Sequence, residues 1–283
     1  FDALNHAFAA VSTGGFSTRV ESIGYWNSGV IEAITIILMI LGNINFLAAY
    51  LFLHGKFKAV YRSGELRLMA ILIPVCSFLL FFFVCTSIYP TLAKSIRVSV
   101  FETISALTTT GFSTTSYSNW SVFGLFVLAI LMVIGGGACS TAGGMKQYRV
   151  YLLAKALFWE IKRPFLPKRA VVENYIWWGE RKDFINDYKI SRVAIFAFLY
   201  VSTLVVGSAI LTAHGYSLKD SFFEFSSALG TVGLSVGLTN SASPPLILWT
   251  ETVGMFLGRL EFFIVFVGIA KIFSGMRKLA SSR

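Results

Sequence analysis

An eight-residue pattern recurs three times along the chain, and any fold assigned to it must repeat with it. The copies are Ala10-Val11-Ser12-Thr13-Gly14-Gly15-Phe16-Ser17, Ala106-Leu107-Thr108-Thr109-Thr110-Gly111-Phe112-Ser113 and Ala228-Leu229-Gly230-Thr231-Val232-Gly233-Leu234-Ser235. Each reads alanine, aliphatic, small, threonine, variable, glycine, hydrophobic, serine. The spacing repeats too. Gly15 to Gly111 is 96 positions and Gly111 to Gly233 is 122, with the excess in a polar segment, 161–189. Gly15 to Gly42, Gly111 to Gly137 and Gly233 to Gly258 are 27, 26 and 25 positions. Matching distances beside matching turns imply copies of one structural unit.

Around the turns, apolar runs long enough to cross a bilayer alternate with segments that are not. A spanning helix takes about 20 apolar residues. Segments 28–53, 68–93, 193–213 and 246–274 qualify, with Pro74 read as lying near the start of the second, where it costs a helix least. Segments 1–11, 97–108 and 219–230, which lead into the three turns, are too short. Segment 121–134 is strongly apolar, breaks at the small-residue stretch 135–144, and resumes at 150–159. Composition agrees: 55% of residues are hydrophobic and 13% charged, against about 25% charged in a soluble domain. The expected fold is an all-α membrane protein of repeated span–short helix–turn–span units around a central pore. Residues 1–60 give the turn and second span of one unit, and 61–160 a complete unit with its second span interrupted at 135–144. Residues 161–189 form a cytoplasmic insertion, and 190–283 a further complete unit. The chain opens on Phe1, directly before the first copy, as expected of a sequence whose earlier part is missing.

Charge placement orients these units. With the turns on one side of the membrane, loops 54–67 and 146–192 and the tail 271–283 share the other. Every Lys and Arg except Arg19, Lys94, Arg97, Lys219 and Arg259 falls in those three segments. The positive-inside rule then sets the turns outside and the basic loops in the cytoplasm of an inner-membrane protein surrounded by lipid. It also accounts for the net charge of +10 without nucleic acid as a partner. Cys76, Cys85 and Cys139 have neither metal-site spacing nor a disulfide framework, and read as small buried hydrophobes.

A short helix between two spans re-enters the membrane. Non-helical backbone at that depth survives only where it lines water or is buried in protein. Thr-x-Gly lets the chain run extended with its carbonyls presented, because glycine adopts conformations other residues avoid. Rings of such carbonyls replace the hydration shell of a potassium ion, and the negative end of each short helix favours a cation there. Thr13, Gly14, Gly15, Thr109, Thr110, Gly111, Thr231, Val232 and Gly233 are therefore the candidate ion-binding residues, with potassium at their backbone carbonyls and no organic cofactor. Close helix packing through small residues is the competing explanation of these glycines. Arg259 falls within the last span, where an ionised arginine costs from a few to well over 10 kcal/mol, roughly, unless it meets water or a polar partner. Glu261 is on another helix face; Asn43 and Asn45 lie at comparable depth in their own span. Glu102 and Glu224, nine positions before Gly111 and Gly233, are expected at helix starts, where an acid suits the dipole.

As a set, these motifs resemble the Trk/Ktr/HKT superfamily of potassium transporters, and most closely its TrkH-like bacterial branch. The resemblance rests on Ser12-Thr13-Gly14-Gly15-Phe16, Thr109-Thr110-Gly111-Phe112, Thr231-Val232-Gly233-Leu234, the 135–144 stretch followed by Met145-Lys146, and Arg259. It implies four pore-loop repeats around one pore, of which this chain supplies repeats two to four. It also implies that the filter glycines are Gly15, Gly111 and Gly233, whose presence leans towards potassium. Gly135, Gly136, Gly137, Ser140, Thr141, Gly143 and Gly144 become an intramembrane gate, and Arg259 faces the permeation path beside it. A homodimer and a cytosolic nucleotide-binding regulator ring are the implied partners. A sodium- or ammonium-permeable relative of the same architecture is the alternative. An intramembrane enzyme is the remote one: no Gly-x-Ser-x-Gly occurs and the three histidines are scattered.

Overall fold

The computed structural model describes residues 1–167, 173–240, 243–260 and 262–281. Glu261 and parts of the 161–189 insertion and of the tail lie outside the described residues.

In chain order, helix α1 (Asp2–Val11) runs into the first turn, and a 3-10 turn (Ser22–Trp26) leads to α2 (Gly29–Asn43) and α3 (Phe46–Leu53). The run 28–53 is thus not one straight span: α2 and α3 meet at 108°. Asn45 causes the break, because its side chain accepts a hydrogen bond from the Leu47 amide and caps the new helix. A short α4 (Phe57–Arg62) follows. Then α5 (Gly64–Leu80), a π turn (Phe81–Cys85) and α6 (Thr86–Ile88) form one continuous 25-residue helix. Pro74 sits well inside α5, not near its start.

The second short helix, α7 (Leu92–Leu107), begins five residues before the expected 97. After its turn comes α8 (Val122–Ile134), capped by the Ser121 side chain and stopped at Gly135, φ +69°. The chain resumes as α9 (Gln147–Lys162). A two-stranded hairpin follows, β1 (Tyr175–Trp178) and β2 (Arg181–Phe184), turning at Gly179-Glu180 with Gly179 at φ +59°. This hairpin was not expected; the signal was the aromatic and β-branched run Tyr175-Ile176-Trp177-Trp178 followed directly by Gly179. Helix α10 (Asp187–Ala213) is 27 residues long and capped by Asn186. The third short helix is α11 (Leu218–Gly230), followed by α12 (Pro245–Leu260) and α13 (Phe262–Ser281). The expected span 246–274 also bends, by 101°.

The helices that lead into the turns pack against their neighbours: α1 on α2; α7 on α5, α8 and α2; α11 on α8, α10 and α12. Two glycines of the matched spacing allow equivalent approaches. A Cβ on Gly42 would stand 2.4 Å from the Val11 carbonyl oxygen, and one on Gly258 would stand 1.9 Å from that of Leu229. Gly137, their counterpart by spacing, instead faces the Asn43 carbonyl. The outward faces of the long helices are apolar and exposed, as at Phe78 and Phe82 of the α5–α6 helix and Phe198 and Val205 of α10. Such faces suit lipid. Cys85 is buried and Cys76 half-buried, but Cys139 is exposed, contrary to expectation.

Candidate functional site

The three turns share one local geometry. The Thr13, Thr109 and Thr231 amides donate to the Ala10, Ala106 and Ala228 carbonyls at 3.2, 3.2 and 3.0 Å. The next amides, of Gly14, Thr110 and Val232, reach back five residues to Ala9, Ser105 and Ser227 at 2.8, 3.1 and 2.9 Å. This is the Schellman closure of a helix, whose left-handed position glycine normally fills. Here threonine fills it three times, at φ +51°, +54° and +52°. A non-glycine residue held there costs of order 1–3 kcal/mol, and such strain concentrates at functional sites.

Past each threonine the backbone reaches Gly15, Gly111 and Gly233 at φ +65°, +87° and +94°. Gly15 and Gly111 leave no room for a side chain. A Cβ on Gly15 would lie 2.0 Å from the Thr110 carbonyl oxygen, and one on Gly111 would lie 1.8 Å from that of Val232. The strands therefore follow one another in an arc: first, second, third. Gly233, at the far end, has nothing within 4 Å on that side. At the near end Phe16 is 81% exposed, while its counterparts Phe112 and Leu234 are 0% and 2% exposed. Between the two ends lies a cavity of about 630 Å³, lined by Thr13, Gly14 and Phe16 on one side and by Val232, Gly233 and Arg259 on the other.

The residues nine positions before each glycine hold the strand leaving the turn. His6 Nε2 is 2.8 Å from Ser17 Oγ. Glu102 accepts from the Thr114 amide and hydroxyl, both at 2.8 Å, and from the Tyr117 hydroxyl. Glu224 accepts from Ser235 Oγ at 2.6 Å and from the Val236 amide at 3.1 Å. Both acids lie in the middle of their helices, not at the starts. Their role is this brace, not an interaction with the helix dipole.

Segment 135–144 forms a loop against the base of all three turns. Its neck is closed by the Gly136 amide on the Gly143 carbonyl at 3.2 Å and by the Met145 amide on the Val133 carbonyl at 2.9 Å. Thr141 Oγ1 lies 3.2 Å from Thr13 Oγ1, and donates to the Val11 or Gly42 carbonyl at 3.1 or 3.0 Å. The Gly143 amide donates to Thr109 Oγ1 at 2.6 Å. A Cβ on Gly143 would meet the Gly230 carbonyl at 2.1 Å and Thr231 Oγ1 at 2.4 Å. Ser140 bonds within the loop, to the Gly137 carbonyl at 2.7 Å. Arg259, at the end of α12, donates from Nη1 to the Thr141 carbonyl at 3.0 Å.

Asn43 and Asn45 are not the partners of Arg259; they hold the other half of the loop. The Gly137 amide donates to Asn43 Oδ1 at 3.2 Å. The Ala138 amide donates to Glu65 Oε1 at 2.8 Å, and Asn45 Nδ2 donates to Glu65 Oε2 at 3.2 Å. Glu65, in the first turn of α5, is 6% exposed and anchors the segment. Glu65→Ala strands two donors, each at about 1–3 kcal/mol. The midpoint of thermal unfolding of the purified full-length protein should fall by several degrees, and by less in Glu65→Gln, which keeps an acceptor for Ala138.

Long helices with apolar, exposed outward faces, and short helices that lead into positive-φ glycine turns in repeated units, define an all-α membrane protein. The comparisons name the family. Residues 1–277 match the TrkH model, described as a cation transport protein, and the chain belongs to that family. It is 33% identical over 278 residues to the Trk system potassium uptake protein TrkH of Escherichia coli strain K12, covering 94% of this chain and 55% of that one. It is 32% identical over 276 residues to the uncharacterized cation transporter MJ1485 of Methanocaldococcus jannaschii, covering 96% and 54%. The crystal structure of the potassium transporter TrkH from Vibrio parahaemolyticus superposes with a TM-score of 0.80 at 29% identity, over 94% of this chain and 57% of that one. The chain thus spans about half the length of the relatives it matches.

Proposed function

We propose that this chain forms three of the four sides of a potassium-uptake pore in the inner membrane, with the turns at the outer mouth. Potassium passes along the carbonyls of Thr13, Gly14 and Gly15, of Thr109, Thr110 and Gly111, and of Thr231, Val232 and Gly233, which replace its hydration shell. The fourth side belongs in the cavity between Gly233 and Phe16, and a further repeat of the same kind fits it. Residues 1–60, 61–160 and 190–283 are then repeats two, three and four. Loop 135–144 is the gate, and Arg259 is its latch. The basic loops face the cytoplasm, where a nucleotide-binding regulator ring docks on the 161–189 insertion, and two copies of the protein form a dimer.

One observation carries this reading: a single loop engages the base of all three turns, through Thr141, Gly143 and their contacts with Thr13, Thr109 and Thr231. Close helix packing explains one glycine at a time; it does not explain a common plug. The test is rubidium uptake into liposomes holding the full-length protein, with potassium or sodium as competitor. Potassium should compete far better than sodium. Equal competition sinks the potassium assignment in favour of a less selective cation pore.

A further inference from the structure

The strand leaving the second turn also holds a piece of the first repeat. The Ser113 amide donates to the Ser22 hydroxyl at 3.2 Å, and the Gly24 amide donates to the Ser113 carbonyl at 3.1 Å. A Cβ on Gly24 would stand 2.8 Å from the Thr114 carbonyl oxygen. The 3-10 turn Ser22–Trp26 is therefore pinned to that strand. Glu21, the residue before it, is fixed in the wall of a cavity of about 570 Å³. Gly111 and Gly233 line the same cavity, as do Thr114 and Ser235. Glu21 is exposed, and among the described residues no hydrogen bond or ion pair engages its carboxylate. No Lys or Arg among the described residues lines the cavity. Arg19, two positions from Glu21, is held by Asp2 at 3.0 Å.

The brace by Glu102 and Glu224 has a second effect here. Thr114 Oγ1 donates its proton to Glu102 at 2.8 Å, and Ser235 Oγ donates its proton to Glu224 at 2.6 Å. A hydroxyl has one proton and two lone pairs. With both protons turned to buried carboxylates, only acceptors remain for the cavity: the lone pairs of Thr114 and one of Ser235, whose other accepts from the Gly237 amide at 2.9 Å. We propose that this cavity collects a monovalent cation with most of its water still attached. The Glu21 carboxylate supplies the charge, and the Thr114 and Ser235 oxygens stand in for a few waters. At about 30 Å³ per water in the liquid, 570 Å³ leaves room for the rest of the hydration shell. A charge of one sign in a cleft raises the local concentration of the opposite ion. The attraction acts on charge and not on size, so it delivers potassium and sodium alike to the glycine turns. Binding of the cation stands on this geometry alone; its service to uptake rests on the pore reading above.

The test uses the full-length protein with its own cysteines replaced and with Ser116→Cys, an exposed position in the cavity wall. Reaction of that thiol with a cationic and with an anionic methanethiosulfonate reads the local potential and needs no flux. The ratio of cationic to anionic rate should fall several-fold in Glu21→Gln and hold in Glu21→Asp. An unchanged ratio in the glutamine variant overturns the site. Millimolar rubidium should slow the cationic reagent more than N-methylglucamine does at the same ionic strength. Equal slowing by the two leaves only a diffuse field and overturns the binding. In liposomes, Glu21→Gln should raise the KM for rubidium several-fold at low ionic strength and leave the maximal rate unchanged. The difference should close at high ionic strength, where exposed charges are screened within a few ångström. A lower maximal rate at an unchanged KM overturns the collecting role and makes Glu21 a structural residue. A shift in the competition between potassium and sodium overturns the reading that charge alone acts. Absence of rubidium flux from every sample overturns the pore reading and leaves the thiol result standing.

Discussion

Gly111→Ala in the full-length protein should reduce rubidium uptake by about 100-fold or more, the loss that a 1 Å misplacement produces in a pre-organised site. Two causes act together. Gly111 has φ +87°, where a side chain is strained, at of order 1–3 kcal/mol. The added carbon would also stand 1.8 Å from the Val232 carbonyl oxygen, well inside any van der Waals contact. Nothing flexible can yield. The far atom is backbone, and Val232 is itself held by its amide on the Ser227 carbonyl at 2.9 Å, with Ser227 Oγ accepting from the Gly233 amide at 3.0 Å. The second and third strands must therefore part, and with them the carbonyls that, on the proposed function, replace water around the ion. Gly55→Ala separates the two causes. Gly55 has φ +71° but nothing within 4 Å of a new Cβ, so it bears the strain alone. It should lose a little thermal stability and no uptake. Equal uptake in Gly111→Ala and the unmodified protein would remove the turns from the ion path.

The turns were legible because a repeated backbone conformation needs a repeated sequence. Three Schellman closures followed by a positive-φ glycine leave the same threonine and glycine at the same offsets each time. The stop at Gly135 was legible for the same reason, since small residues replace a helix where the backbone must leave it. What the sequence hid were bends and partners. An apolar run of 26 residues looks continuous whether or not it turns 108° at Asn45, because the cap is one residue and hydropathy averages over it. Asn43 ends α2, Asn45 caps α3, and Glu65 lies in α5, 20 or more positions further on; hydropathy says nothing of their meeting at one loop. The acids before the second and third turns show a finer limit. Their equivalence was plain from spacing. Their role was not, because α7 starts at Leu92 and moves Glu102 from a helix end to a helix middle. The hairpin was overlooked because four-residue strands lie below the length at which a period of two stands out in a helical chain.

Arg259→Ala should raise rubidium flux about tenfold or more, an unusual direction for the loss of a charged residue in a transporter. Its guanidinium makes a hydrogen bond at 3.0 Å to the Thr141 carbonyl, and Thr141 joins the loop to the first turn and, together with Gly137, to α2. A hydrogen bond to a charged donor contributes about 1.5–3 kcal/mol, and about 1.4 kcal/mol is a tenfold change in the ratio of closed to open loop. Removing the arginine also removes a fixed positive charge from the cavity that Thr13, Val232 and Gly233 share with it, so that, if the cavity is the ion path as proposed, repulsion of the cation falls together with the hydrogen bond. The position is set by its neighbour. Gly258 brings α12 close against the Leu229 carbonyl, where an added Cβ would stand 1.9 Å from its oxygen. Arg259→Lys should fall between, keeping the charge with a shorter reach. Deleting 138–141 should raise flux further, because it removes Thr141 yet leaves the neck bonds of Gly136 and Met145 in place. Unfolding temperatures within a few degrees of the unmodified protein would show that the pore stands without its plug. Flux unchanged or lowered in both Arg259→Ala and the deletion would show that the loop supports the turns and does not close them.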